Sequence, residues 1–181
     1  DEEGNITNNR TVVTYYYTQR AIVEEHHIDS LTGKDIEEPT IHNGHVGDEY
    51  NIPSKELLSY QLIEADEEGN SMLPTNSTGT MTAEKIVVNY YYNQPANVIV
   101  HYVEKATGKE LEETNPETGE LQNSQVVIEG FNQDEYTTET KEFKYYTLIE
   151  SPENAEGQMK VEIVEDEKGN KTVNNTIDVY Y

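Results

Sequence analysis

Val88-Asn89-Tyr90-Tyr91-Tyr92 is a run of β-formers ending in tyrosines, with counterparts at Val13-Thr14-Tyr15-Tyr16-Tyr17 and Ile177-Asp178-Val179-Tyr180-Tyr181. β-Branched and aromatic residues favour a pleated backbone, and alternate side chains of a strand face opposite ways. Val88, Tyr90 and Tyr92 therefore share a face, as do Val13, Tyr15 and Tyr17, and Ile177, Val179 and Tyr181. The alternation predicts one packed and one wet face, and each run reads as the closing strand of a small β domain.

Working outward from these runs, the chain repeats itself. The stretch from Ala21 to Glu38 aligns without a gap to Ala96 to Glu113, 75 residues on. In the second copy Val98, Val100 and Tyr102 alternate as a half-buried strand, and Thr107-Gly108-Lys109 reads as a hairpin turn whose Gly takes a positive φ. Gly44-His45-Val46-Gly47-Asp48-Glu49-Tyr50 returns 86 residues on as Gly130-Phe131-Asn132-Gln133-Asp134-Glu135-Tyr136. The longer spacing predicts a surface-loop insertion near Asn115-Pro116-Glu117-Thr118-Gly119. Ser54-Lys55-Glu56-Leu57-Leu58 reads as one helical turn capped by Ser54, and Tyr60 to Glu64 matches Tyr146 to Glu150 as a further strand. Each copy then carries Asn-x-x-Gly-x-Met, at Asn76 to Met81 and Asn154 to Met159. The expected domains are 20–94 and 95–181, joined by the short linker Asn93-Gln94-Pro95 that favours an end-to-end arrangement with limited bending. Residues 1–19, with the polar turn Asp1-Glu2-Glu3-Gly4-Asn5, read as the closing strand of a preceding repeat or as an extra N-terminal strand.

A chain of 181 residues with 12 basic and 36 acidic side chains carries a net charge of −24. Phosphates and anionic membranes would be repelled, so nucleic acid is not an expected partner. No stretch approaches the roughly 18 apolar residues of a membrane span, so insertion is not expected. The N-terminus lacks a signal peptide's basic and apolar regions, and the chain reads as a piece of something longer. Leu, Ile, Val and Phe supply only 38 of 181 residues, near the composition of disordered chains, but 14 tyrosines in strand-like clusters predict folding. There is no cysteine, hence no disulfide, thiol nucleophile or thiolate metal site. Leu73-Pro74-Thr75-Asn76 starts like a cell-wall sorting signal but has Asn where that signal needs Thr, and no hydrophobic tail follows.

Both copies resemble the MucBP (mucin-binding protein) domains of Gram-positive surface adhesins. The resemblance is carried by Val98-x-Val100-x-Tyr102-Val103 with Gly108-Lys109, then Gly130 with Asp134-Glu135-Tyr136, then Tyr146-Thr147-Leu148-Ile149, then Pro152 to Gly157, and by the tyrosine-rich closing strand. It covers most of residues 20–181. The first copy departs from the pattern at Glu25 and His27, where the second has Val100 and Tyr102. The resemblance implies a β-rich α+β architecture of two tandem ubiquitin-like β-grasp domains. It also implies an extracellular parent protein anchored in the cell wall, monomeric within a longer repeat array, that adheres to host mucin glycoproteins or glycans. Repeats of this kind also serve as stalks.

Mucin glycans often carry sialate or sulfate, which a chain at −24 repels, so charge cannot drive such binding. Sugar would instead be held by stacking on tyrosine rings and by hydrogen bonds. The outward-facing Tyr16, Tyr91 and Tyr180 are the candidate ligand residues; the alternative is that they pack against neighbouring strands. Four of five histidines lie in the first copy, and His42 and His45 with His26 could gather for zinc. If His27 takes the inward place of Tyr102, its protonation affects packing. The acidic turns at Asp66 to Asn70 and Asp166 to Asn170 lack the alternating ligand spacing of a calcium loop and read as solvated turns. No Ser-His-Asp order, nucleophile elbow or phosphate loop appears, so the chain reads as non-catalytic and without a cofactor.

Overall fold

The computed structural model describes residues 12–181, so the expected Asp1–Asn5 turn lies outside the described residues. The first repeat holds seven strands: β1 (Arg20–Asp29), β2 (Lys34–Asp35), β3 (Thr40–His45), β4 (Glu49–Asn51), β5 (Gln61–Leu62), β6 (Thr78–Thr80) and β7 (Ile86–Asn93). The second holds nine: β8 (Pro95–His101), β9 (Glu112–Thr114), β10 (Leu121–Asn123), β11 (Val126–Phe131), β12 (Glu135–Thr137), β13 (Glu156–Gln158), β14 (Glu162–Glu165), β15 (Lys171–Asn174) and β16 (Thr176–Tyr180). The protein is β-rich. No helix occurs among the described residues, which corrects the α+β expectation. At Ser54–Leu58 the backbone amide of Lys55 donates to the Tyr92 hydroxyl (3.2 Å), and that hydroxyl donates to the Lys55 carbonyl (3.1 Å). A side chain 37 residues away thus takes the Lys55 carbonyl, which a helical turn would offer to the amide four residues on.

Five strands form one sheet in the order β2-β1-β7-β5, with β3 also paired to β1. In the second repeat β8 lies between antiparallel β11 and parallel β16. The insertion near Asn115 is a hairpin of β9 and β10, and a second hairpin, β14 and β15, precedes the closing strand. Its Asp166–Asn170 turn is built like that at Asp66–Asn70. In each, the Asp carboxylate accepts from the amides two and four residues on, and the Asn side chain donates back to it. Those hydrogen bonds, Asn70 and Asn170 foremost, hold Asp66 and Asp166 below the usual carboxylate range. Their oxygens are committed to the turn rather than presented as a cation loop.

By packing, the chain forms two compact units. The first takes the described residues up to His26 with Glu38–Pro53 and Pro74–Asn89. In it β3 runs antiparallel to β1 from Arg20↔His45 to Glu25↔Thr40, and β4 pairs with β6. Ala21, Val23, Ile52, Met81 and Val88 are its buried apolar residues. The two sequence motifs interlock here. A Cβ on Gly44 would stand 2.5 Å from Met81 Sδ, so glycine is needed for the methionine to lie across it. The Met81 amide donates to the Asp48 carbonyl (2.7 Å), and Asp48 Oδ2 accepts the His45 amide (2.8 Å). Asn76 Nδ2 donates to the Val87 carbonyl (2.9 Å), tying the Asn-x-x-Gly-x-Met segment to the closing strand.

The second unit takes His27–Glu37, Ser54–Leu73 and Tyr90–Tyr181. The same device recurs: a Cβ on Gly130 would meet Met159 Sδ at 2.8 Å, Asp134 Oδ2 accepts the Phe131 amide (2.8 Å), and Asn154 Nδ2 donates to the Asp178 carbonyl (3.0 Å). Its principal core is Ala96, Val98, Val100, Tyr102, Tyr136, Met159 and Val179. The Asn ties align the closing strands differently from their tyrosine runs. Asn76 bonds residue 87 and Asn154 bonds residue 178. Likewise His27 stacks on Tyr90 (5.8 Å) and Tyr102 on Tyr181 (5.7 Å). Tyr181 therefore stands where Tyr90 does, and Tyr180 occupies the place of Asn89.

Candidate functional site

The alternation expected of the tyrosine strands is present in β7, where Val88, Tyr90 and Tyr92 are buried and Tyr91 is half-buried on the other side. In β16 Val179 is fully buried and Tyr180 points out, 55 % exposed. Residues 12–19 lie in no strand of this structure, and Tyr16 is 92 % exposed. Tyr16, Tyr91 and Tyr180 are thus three different environments rather than one recurring platform.

Tyr180 is the most constructed of the three. Its ring lies flat on the His101 imidazole, centroids 4.5 Å apart and planes 11° from parallel. His101 is held by Glu110 Oε1 at Nδ1 (2.5 Å) and by Asp178 Oδ1 at Nε2 (2.9 Å), and Gln125 Nε2 donates to the same Glu110 oxygen (2.6 Å). Burial draws the imidazole pKa down, but the hydrogen bonds and charges of Glu110 and Asp178 outweigh it, and the net shift is upward. Glu110 moves the opposite way, chiefly through its hydrogen bond from His101. A raised folded pKa adds stability that is complete below the ordinary imidazole value of about 6.5 and is lost as pH rises through the folded value. The depressed Glu110 adds stability that is complete above the ordinary glutamate value of about 4.3 and is lost as pH falls through its folded value. The wild-type protein should therefore lose thermal stability from mildly acidic pH toward alkaline pH. His101→Gln should show a smaller loss over that range in melts followed by circular dichroism.

The histidines of the first repeat do not converge. His42 Nε2 meets Glu25 Oε2 (2.7 Å), His45 Nδ1 lies 3.6 Å from Asp48 Oδ2, and His26 Nε2 lies 3.6 Å from Glu24 Oε1. Among the described residues no group of three or more His, Asp or Glu side chains is placed to hold a metal ion. His27 does take the inward place, 2 % exposed, with Glu25 beside it on the face of β1 that holds Val100 and Tyr102 in the second repeat. Its Nδ1 is 2.9 Å from the Tyr92 hydroxyl.

A concavity of about 680 Å³ in the second unit runs between Val103–Ala106 and the segment Tyr145–Glu153, with Tyr180 and Tyr181 at one end. Tyr145, Leu148 and Ile149 present exposed apolar surface along it. The strand expected at Tyr146–Glu150 is absent, although its counterpart Gln61–Leu62 pairs with β7. This groove and the His101 cluster were missed in the sequence. Tyr145-Tyr146 is a visible aromatic pair, but nothing local marks it as unpaired, and His101 acquires its partners only when residues 110 and 178 arrive.

A family model described as MucBP domain matches residues 23–93 and again 97–181. The chain is 36 % identical over 163 residues to Internalin J of Listeria monocytogenes serovar 1/2a (strain ATCC BAA-679 / EGD-e), and 34 % identical to Internalin J of serotype 4b (strain F2365). Each comparison covers 85 % of this chain but only 17 % and 16 % of the respective relative, so the chain spans about a sixth of the length of these curated proteins.

Proposed function

The chain belongs to the MucBP domain family, and from that premise we propose that it is a non-catalytic repeat segment of a cell-wall-anchored Gram-positive surface adhesin. Its domains are 20–94 and 95–181, β-grasp-like and set in tandem, and they hold host mucin or other glycoproteins. The parallel pairing of β8 with β16 supports the β-grasp reading, since a first strand parallel to the last is what joins the ends of such a domain. The observation that carries the binding reading is Tyr180, a ring fixed on one face by His101 and 55 % exposed. A flat, preorganised aromatic surface offers a sugar ring apolar contact without charge and with little entropy left to lose. Tyr16 and Tyr91 are the further candidates.

The test is retention on immobilised mucin before and after enzymatic removal of its glycans, with Tyr16→Ala, Tyr91→Ala and Tyr180→Ala variants alongside. Retention should fall on deglycosylation, and most in the Tyr180→Ala variant. The rival reading is a spacer that projects a distal binding domain. It is favoured by how many tyrosines, among them Tyr90, Tyr92, Tyr102 and Tyr136, are buried in packing. Retention that is absent with intact mucin would establish the spacer.

A further inference from the structure

The sheet of the second repeat packs on its core with one face only. Alternation buries Ala96, Val98 and Val100 of β8 in that core, so Ile99 and His101 turn to the opposite face. The register sets Val127 opposite Ile99 and Phe131 opposite Pro95 on β11, and Tyr180 opposite His101 on β16. Apolar side chains therefore run along this outer face from Tyr180, 55 % exposed, through Val127, also 55 % exposed, to Phe131, 42 % exposed. A strand rises roughly 3.3 Å per residue, so the ends of β8 beside Tyr180 and Phe131 stand about 20 Å apart. Phe131 also walls a cleft of about 470 Å³ with Gln61, Leu62, Glu64 and Asn93, all of them in the second compact unit.

Among the described residues of this face and cleft there is no Lys or Arg, whereas Glu64, Glu129 and Asp178 are acidic. His101 is already shared between Glu110 and Asp178. A sialate or sulfate would meet like charge here and find no free cation. The first repeat has the corresponding strands without the apolar run: Glu24, His45 and Asn89 stand where Ile99, Phe131 and Tyr180 do. Resting on the reading of Tyr180 as a sugar platform, we propose that the outer face of β11-β8-β16 is an extended binding face for a neutral oligosaccharide, anchored by Tyr180 at one end and Phe131 at the other. Each ring covers the apolar face of one sugar, and Asp178 at one end and Gln61, Glu64 and Asn93 at the other hydrogen-bond to hydroxyls. Two anchors on one sheet make affinity depend on ligand length, because a short sugar reaches one ring and a longer chain engages both.

The test is a titration of the intact, nitrogen-15-labelled chain, followed by amide chemical shifts, with N-acetyllactosamine oligomers of one, two and three disaccharide units. The longest oligomer is also used capped with sialate. Affinity should rise at least tenfold from the shortest to the longest, with shifts that spread from β16 around Tyr180 to Phe131 and Gln61–Ala65. The sialylated oligomer should bind more weakly than the uncapped one. Phe131→Ala should weaken the longest oligomer about tenfold, the effect of losing roughly 1.4 kcal/mol, and abolish the gain with length, whereas Phe131→Tyr should keep both. The same spectra show whether each variant is folded, and the shift map of the wild type stands without them. Shifts confined to the Tyr180 end, with equal affinity at every length, would overturn the extended face while leaving Tyr180 as a sugar platform. Shifts at neither ring would overturn both, and tighter binding of the sialylated oligomer would overturn the neutral selectivity.

Discussion

Tyr92→Ala is expected to destabilise the first repeat by about 3–5 kcal/mol, the range for removing a large aromatic side chain from a core. The residue is 1 % exposed, sits 5.6 Å from the His27 ring, and joins His27 to the backbone of Lys55 through its hydroxyl. Ala would leave both a cavity and polar groups that had been satisfied by that hydroxyl. Tyr92→Phe separates the two effects. It keeps the ring and removes only the hydroxyl, and should cost about 1–3 kcal/mol, as expected when a buried hydrogen-bonding partner is lost. Urea unfolding of the two variants should therefore rank wild type, Phe, Ala. Equal losses for Phe and Ala would mean that the hydroxyl alone holds this corner.

Met159→Ala is the second large loss, about 2–5 kcal/mol in the second repeat. The side chain is 2 % exposed, and most of the core around it is small: Ala96, Val98, Val100 and Val179. With so few large apolar residues, the methionine is a substantial share of the roughly 5–15 kcal/mol that holds a domain folded. Gly130→Ala should cost about 1–3 kcal/mol from the other direction, by forcing a methyl against Met159 Sδ where only 2.8 Å is available. The two substitutions share one space. In the double variant the added methyl no longer meets the sulfur, so the combined loss should be clearly smaller than the sum. Additive losses would contradict the interlock of the two motifs.

How far the fold can be read from the sequence differs by element. Alternation in Val88 to Tyr92 and in Val98 to Tyr102 exposes the packed faces directly, because a strand's side-chain period is two. The two motifs are visible as recurring patterns, but the contact that explains them, a methionine lying across a glycine some 30 residues distant, is tertiary. The helical turn at Ser54 fails for the same kind of reason, since Tyr92 claims the backbone of Lys55. A closing strand was legible in Ile177 to Tyr181, but its register was not. The run of tyrosines invites superposition on Tyr90 to Tyr92, whereas the Asn ties and ring stacks shift it by two positions.

The site followed the same division. An outward Tyr180 could be read from alternation, but its clamp by His101 needed the parallel approach of β16 to β8, which brings Asp178 opposite Ile99 and Tyr180 opposite His101. The first repeat offers no equivalent, because Asn89 stands at that position. Ligand contact through a stacked ring would therefore belong to the second repeat, and the first would serve as a scaffold with a polar interior of Glu25 and His27.

The central claim is that this acidic segment holds glycan through aromatic contact rather than charge. The measurement that tests it most directly is binding of the intact chain to immobilised mucin across a salt series, with Tyr180→Ala in parallel. The account predicts binding that is unchanged or modestly strengthened as salt rises, because screening relieves repulsion at −24 without weakening stacking, and that falls in the variant at every salt. Binding that weakens steeply with salt and is indifferent to Tyr180 would contradict it.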